Sequence, residues 1–249
     1  MDQTRNPIGV FDSGIGGIST LREIVRELPR EHFIYYGDIA NAPYGTKGTE
    51  EVTNCVRAVV RHLLERQIKA LVIACNTATG AAAATLRREL TIPVIAMEPA
   101  LKPASEKREG GSILVMATPL TLQMEKFNIL MSKYGEGAVR VPCPGLMELV
   151  EADDGEGAFE YLQHLFAQYD LDRVDAVVLG CTHYVFLREM IRDLLPEHIA
   201  ITDGNAGTAR QLRRVLERNG LLNENGEGKV EFETSGGEKD LDLMRRLIE

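Results

Sequence analysis

The sequence has few cysteines, little positive charge and no long hydrophobic run, and each shortage argues against a class of protein. Its 249 residues include four cysteines, and no two of them have the C-x-x-C spacing of a zinc knuckle or a thioredoxin-type site. Lysine and arginine number 28 against 37 acidic residues, and the net charge of −9 disfavours nonspecific binding to nucleic acid. No apolar stretch approaches the length of a membrane span, and the polar N-terminus does not match a secretory signal peptide. We therefore expect a cytoplasmic protein with no membrane partner, whose cysteines are free thiols.

Short apolar segments alternate along the chain with longer segments of helical period. This alternation predicts an α/β fold with parallel sheets and helices on both faces. The candidate strands are 8–11, 33–36, 70–74, 93–97, 112–116, 138–141, 174–179 and 199–202, with 229–233 as a candidate edge strand. The candidate helices are 18–28, 50–67, 77–90, 99–107, 120–133, 156–168, 185–195, 205–219 and 239–248, and Ser19 is a candidate cap for the first of them.

A faint internal repeat indicates that the fold consists of two similar halves. Cys75 and Cys181 each follow an apolar strand and a small residue, each precedes a polar pair, and they lie 106 positions apart. The same offset relates Asp12 to Thr118 and the turn 43–45 to the segment 149–151. We expect one α/β domain from residues 1–97 with 206–249, and a second from 98–205, with the active site in the cleft between them.

Polar residues directly after strands mark the expected ligand-binding edge of a parallel sheet. The glycine-rich turn at 14–17 resembles the start of a dinucleotide fingerprint, but residue 19 is serine where the fingerprint has a third glycine or alanine. The acidic residue expected about 20 positions further on is also not convincing, so a nicotinamide cofactor is disfavoured. A nucleotide P-loop is absent. Two interpretations of the turn remain: backbone N–H groups that hold an anion, or a tight turn that needs glycine dihedral angles.

The four cysteines divide into two kinds. Cys55, in the middle of a helix, and Cys143, in a proline-flanked turn, are expected to be packing residues. Cys75 and Cys181 lie after strands, where a helix N-terminus stabilises a thiolate. Two equivalent thiols suit the inversion of a carbon atom, because one base removes a proton and a conjugate acid returns one to the opposite face.

Two ionisable side chains lie where they could assist these thiols. His183 could tune Cys181 or shuttle its proton, although a packing or surface histidine is the alternative. Asp12 could do the same for Cys75 or bind a substrate ammonium group, although a helix-capping carboxylate is the alternative.

The ordered motifs resemble those of the glutamate racemase family, within the aspartate/glutamate racemases. The matching segments are 11–17 (FDSGIGG), 36–38 (YGD), 43–47 (PYGTK), 74–78 (ACNTA), 98–99 (EP), 117–118 (AT) and 179–184 (LGCTHY), and they extend from residue 8 to about residue 210. The resemblance implies a two-domain α/β fold and racemisation of glutamate without pyridoxal phosphate, metal or other cofactor. It also implies a supply of D-glutamate for peptidoglycan, and it allows a homodimer.

By the same resemblance, Cys75 and Cys181 are the two proton donors and acceptors, assisted by Asp12 and His183. The implied substrate-binding positions are Asp12, Ser13, Tyr44, Gly45, Asn76, Thr77, Thr118, Glu151, Thr182 and His183. Met124, Phe127 and Val185 depart from the usual residues of the family and leave dimer contacts, loop packing and regulation undetermined.

Three other functions fit parts of the pattern. Aspartate or hydantoin racemases share the two-cysteine plan, and a Cys–His hydrolase could use Cys181 with His183. A two-domain binding protein for acidic amino acids would need neither thiol. A tyrosine-phosphatase loop is excluded, because the position six residues after each cysteine is Ala81 or Leu187 rather than arginine.

Overall fold

The computed structural model describes residues 3–248, which form nine strands and eleven α-helices. These residues divide into two compact units. Unit 1 is the chain up to Glu98 together with the chain from Asn205 onward, and unit 2 is Pro99–Gly204. No helix within residues 3–248 is long and apolar enough to cross a membrane.

The elements follow one another in the order strand, helix, strand through most of the chain. The first part of unit 1 contains β1 Ile8–Asp12, α1 Ile18–Glu27, β2 His32–Gly37, α2 Thr49–Glu65, β3 Ala70–Ile73, α3 Asn76–Glu89 and β4 Val94–Ala96. Unit 2 contains α4 Leu101–Glu106, β5 Ser112–Ala117, α5 Pro119–Gln123, α6 Glu125–Tyr134, β6 Ala138–Pro142, α7 Leu146–Glu151, α8 Gly155–Phe166, β7 Val174–Leu179, α9 Arg188–Leu194 and β8 Ala200–Asp203. Unit 1 ends with α10 Asn205–Arg218, β9 Lys229–Thr234 and α11 Glu238–Ile248. Short 3-10 helices occupy Ile39–Asn41, Tyr44–Thr46, Leu171–Arg173 and Thr182–Leu187.

Each unit is built on one parallel sheet, and the two sheets share a strand order. The order is β4-β3-β1-β2-β9 in unit 1 and β8-β7-β5-β6 in unit 2. All pairs between neighbouring strands are parallel. The first four strands of unit 1 therefore have counterparts in the same spatial order in unit 2, and the expected fold class of two similar parallel-sheet α/β domains is confirmed.

The central strands are hydrophobic on both faces because helices cover both sides of each sheet. Every residue of β1 and β3 is buried, and the inner part of β5 is buried as well. Helix α10 packs against α1, and β9 extends the sheet beside β2. Because β1 pairs in parallel with both β2 and β3, the carboxyl ends of these three strands lie side by side at one edge of the unit 1 sheet.

Three local expectations are corrected by the structure. Ser19 is not the cap of α1: the helix begins at Ile18 after Gly17, and the Ser19 hydroxyl donates to the carbonyl of Gly16 at 2.8 Å. The predicted helix 120–133 is two helices, because Met124 has an extended backbone between α5 and α6. The predicted helix 185–195 starts as a 3-10 helix and becomes α-helical only at Arg188.

The residues that depart from the family pattern lie inside unit 2. Met124 and Phe127 are buried, and the Phe127 ring lies 5.3 Å from the guanidinium carbon of Arg140. Val185 is partly buried against the core beside β7. These side chains therefore take part in the internal packing of unit 2. Helix α7, which the sequence pattern did not predict, also belongs to this unit.

Candidate active site

The glycine-rich turn after β1 surrounds a fully buried carboxylate. Asp12 ends β1, and its Oδ1 accepts the N–H of Gly14 at 2.9 Å. The buried phenol of Tyr35 donates to the carbonyl of Gly14 at 2.8 Å. Gly17 has an ordinary φ of −63°, but a Cβ atom there would lie 2.5 Å from the Cβ of Asp12. Close approach, rather than a special dihedral angle, therefore requires glycine at position 17.

The Cys75 thiol lies at the N-terminus of an α-helix, as the sequence predicts. Cys75 follows β3 and is the N-cap of α3, and its Sγ accepts the N–H of Ala78 at 3.4 Å. The Ser13 hydroxyl lies 3.5 Å from the same sulfur. Because unpaired N–H groups and the helix dipole favour negative charge, this position stabilises a thiolate.

Asn76 and Thr77 form the first turn of α3, beside Cys75, and both are buried. The Asn76 amide nitrogen donates to the sulfur of Met97 at 3.4 Å. Its amide oxygen is buried and has no hydrogen-bond partner among residues 3–248. A buried acceptor without a donor costs free energy, so this atom is suited to receive an N–H from a ligand.

The turn that bears Tyr44 and Gly45 is fixed by a carboxylate that sequence reasoning did not assign to the site. The Tyr44 phenol is buried and donates to Oδ2 of Asp38 at 2.5 Å. Burial and this hydrogen bond raise the pKa of Tyr44 above its usual range, so the phenol stays protonated. Its ring also packs against Phe11, with the centroids 6.3 Å apart. The side chain of Tyr44 therefore anchors the turn, and the 3-10 helix that contains it contacts α3.

In unit 2, three of the expected residues form one connected array. The Sγ of Cys181 lies 3.8 Å from Nδ1 of His183, and Nε2 of His183 lies 2.9 Å from Oε1 of Glu151. His183 is buried, whereas the Glu151 side chain is 28% exposed. A carboxylate on one ring nitrogen orients the imidazole so that the other nitrogen faces the sulfur, an arrangement that suits a proton shuttle.

Cys181 differs from Cys75 in the type of helix that comes after it. The expected α-helix N-terminus is absent, because the residues after Cys181 form the 3-10 helix Thr182–Leu187. In this unit the imidazole of His183 lies beside the sulfur, where unit 1 has helix N–H groups and a serine hydroxyl. The two thiols therefore have different local environments despite their equivalent positions in the two sheets.

The remaining expected residues of unit 2 are buried hydroxyls at strand ends. Thr118 follows β5 and caps α5 by accepting the N–H of Thr121 at 3.2 Å, while its hydroxyl donates to the hydroxyl of Thr121 at 2.9 Å. Thr182 is buried directly after Cys181.

The other two cysteines lie in packing positions. Cys143 is buried in the unit 2 core, and burial raises its pKa above the usual range of a thiol. Cys55 is half-buried on α2, and its pKa is also raised, chiefly by burial. Within residues 3–248, no group of three or more His, Cys, Asp or Glu side chains is arranged to hold a metal ion.

Comparison with known proteins identifies the family to which the chain belongs. The model of the Asp/Glu/hydantoin racemase family matches residues 8–212. A glutamate racemase of Clostridium acetobutylicum is 50% identical, with all of both chains covered. The crystal structure of a glutamate racemase from Bacillus anthracis has a TM-score of 0.88 at 31% identity, covering 98% of this chain and 93% of that one. The Escherichia coli glutamate racemase, solved with L-glutamate and the activator UDP-MurNAc-ala, has a TM-score of 0.83 at 30% identity, covering 97% and 95%.

The fold is thus that of an isomerase that acts on amino acids. The chain belongs to the Asp/Glu/hydantoin racemase family and is an amino-acid racemase.

Proposed function

We propose that this racemase interconverts L- and D-glutamate without a cofactor, by proton transfer between the α-carbon and two thiols, Cys75 and Cys181. The observation that carries the proposal is their placement: each follows the equivalent strand of its own sheet, β3 or β7, and each sulfur contacts a polar group, the N–H of Ala78 or Nδ1 of His183. Glutamate is chosen over aspartate because the relatives similar over the full chain are glutamate racemases. We further propose that the enzyme acts in the cytoplasm and supplies D-glutamate for peptidoglycan.

The proposed chemistry balances protons without an external reactant. With L-glutamate, the thiolate of Cys181 takes the α-proton, so that an S–H bond forms as the C–H bond breaks. The thiol of Cys75 then gives its proton to the opposite face of the carbanion, which leaves Cys75 as the thiolate. With D-glutamate the two thiols exchange roles. Exclusion of water from the occupied site would strengthen the hydrogen bonds that hold the carbanion.

The remaining polar residues are proposed to hold the substrate. The unpartnered amide oxygen of Asn76 suits the α-ammonium group, and the buried hydroxyls of Ser13, Thr77, Thr118 and Thr182 suit carboxylates. Asp12 and His183 are proposed to assist the thiol in their own unit.

The test is to incubate the enzyme with L-glutamate in D2O and to follow enantiomers and α-deuterium together. We expect D-glutamate that carries deuterium at the α-carbon, because the returning proton comes from a thiol that has exchanged with solvent. Cys75→Ser and Cys181→Ser should each lower racemisation by about 10²–10⁴-fold. Ser132→Ala, on the exposed surface of α6, is the control and should remain within about threefold of the wild type.

Three results would contradict parts of the proposal. Racemisation at the wild-type rate in either active-site variant would exclude the two-thiol mechanism. Turnover of aspartate with no turnover of glutamate would reassign the substrate. Neither exchange nor inversion with either amino acid would leave the binding or hydrolytic alternatives.

A further inference from the structure

Asp38 is a buried carboxylate whose side-chain hydrogen bonds come from three residues, two in the following loop and one in the C-terminal part of unit 1. Its Oδ1 accepts the Ser235 hydroxyl at 2.6 Å and the Asn41 amide at 2.9 Å. Its Oδ2 accepts the Tyr44 phenol at 2.5 Å and the Asn41 amide at 3.2 Å. All four of these hydrogen bonds come from neutral donors. A buried carboxylate depends on such donors to replace the water it has lost, so the loss of one affects the position of the group.

The Ser235 hydroxyl has a fixed orientation because it is used in both directions. It donates to Asp38, and its oxygen accepts the N–H of Ala40 at 3.1 Å. The backbone N–H of Ser235 donates to the carbonyl of Gly37 at 3.2 Å. The neighbouring Thr234 hydroxyl donates to the same carbonyl at 2.8 Å. Ser235 therefore contacts the chain on both sides of Asp38, at Gly37 and at Ala40.

The C-terminal segment, residues 229–248, provides a rigid support for Ser235. Strand β9 pairs with β2 along its whole length, from Lys229 beside His32 to Thr234 beside Gly37. In α11, Met244 is fully buried against Gly37, where an added Cβ atom would lie 2.4 Å from its terminal methyl carbon. The segment thus packs against Gly37, the last residue of β2, and Asp38 is the next residue in the chain.

We propose that Ser235 is a positioning residue of the substrate site, which acts through Asp38 on Tyr44 and so on the 3-10 turn Tyr44–Thr46. The proposal rests on the proposed function to the extent that this turn binds glutamate. It assigns the C-terminal segment a part in forming the site, although that segment lies beyond every motif that identifies the site in the sequence.

The chain of contacts has a specific kinetic consequence. If the turn binds the substrate equally in the ground state and in the transition state, loosening it raises KM and changes kcat little. We expect Ser235→Ala to raise the KM for glutamate about tenfold, the effect of losing one hydrogen bond to a charged group, with kcat within about threefold of the wild type. Ser235→Thr keeps the hydroxyl and should restore KM to within about threefold.

A second measurement does not depend on which substrate is turned over. The N–H of Lys47 donates to the carbonyl of Tyr44 at 3.2 Å and closes the turn. Hydrogen exchange followed by mass spectrometry should show faster exchange of the amides at 44–47 in Ser235→Ala than in the wild type. The matched control is Lys229→Met, which loses an exposed hydrogen bond to Glu231 at the other end of the same strand, and it should leave both KM and this exchange nearly unchanged.

The outcomes separate the role of Ser235 from the proposed function. Unchanged KM and unchanged exchange in Ser235→Ala would overturn the role of Ser235, and so would an equal effect in Lys229→Met, because the cause would then be a general loosening of β9. Failure of the wild type to act on glutamate would overturn the proposed function instead, and the exchange measurement alone would then decide the role of Ser235.

Discussion

Replacing Lys69 with methionine should destabilise unit 1 by about 3–5 kcal/mol, because it leaves a buried carboxylate without its cation. Lys69 precedes β3, and its ammonium group lies 2.5 Å from Oε2 of Glu31, with both side chains at most 1% exposed. The ammonium also donates to the carbonyl of Thr4, and Oε1 of Glu31 accepts the N–H of Asn223 at 2.8 Å. The pair therefore connects the N-terminal segment, the starts of β2 and β3, and the chain after α10.

The magnitude depends on the groups that each substitution leaves unpaired. Methionine fills most of the volume of the lysine, so the loss is mainly electrostatic. After the substitution, Glu31 keeps the hydrogen bond from the neutral N–H of Asn223 but loses the one from the Lys69 ammonium group. Replacing both residues, as Lys69→Met with Glu31→Leu, removes the stranded charge. It leaves the carbonyl of Thr4 and the N–H of Asn223 without these partners, but both residues are partly exposed, so the cost is about 1 kcal/mol. The double variant should therefore be more stable than the single variant by about 2–4 kcal/mol.

Urea unfolding followed by far-ultraviolet circular dichroism is the suitable assay, because the chain contains no tryptophan. Lys47→Met is the matched control in the same unit, since Lys47 pairs with a Glu51 side chain that is 56% exposed, and it should cost less than about 1 kcal/mol. A cost below about 1 kcal/mol for Lys69→Met, or a double variant no more stable than the single one, would refute the argument.

Two further predictions concern the unit 2 array and the acid sensitivity of β9. Glu151→Gln should lower kcat about 10–100-fold in both directions, because His183 loses the carboxylate that orients its ring towards Cys181. Initial rates with each enantiomer measure this, and an unchanged kcat would contradict it. Hydrogen bonds from Lys229 and Arg66 lower the pKa of Glu231 to about 2 from 4.5, so its stabilising contribution is present above pH 4.5 and is lost as the pH falls towards 2. Glu231→Gln should therefore make stability less dependent on pH between 4.5 and 2 in denaturation at several pH values, and an identical slope in the two proteins would contradict this.

Local patterns in the sequence were sufficient to predict the sheets and the ends of their strands. The apolar runs that became β1, β3, β5 and β7 are buried on both faces, and such runs stand out in a sequence without any alignment. The polar residues that follow them are sequence neighbours of these runs, which is why Cys75 and Cys181 could be identified. Helix ends were harder to predict, because the break at Met124 depends on how its side chain is buried in unit 2.

The sequence by itself therefore determined the two-sheet α/β class, the strand-end position of both thiols and the family. Only the tertiary structure decided what each functional group contacts. Glu151 meets His183 across 32 residues, and Ser235 meets Asp38 across 197 residues. The physical reason is that periodicity reports which face of an element is buried, whereas a hydrogen bond depends on placing two atoms within about 3 Å, which only the packing of distant segments can do.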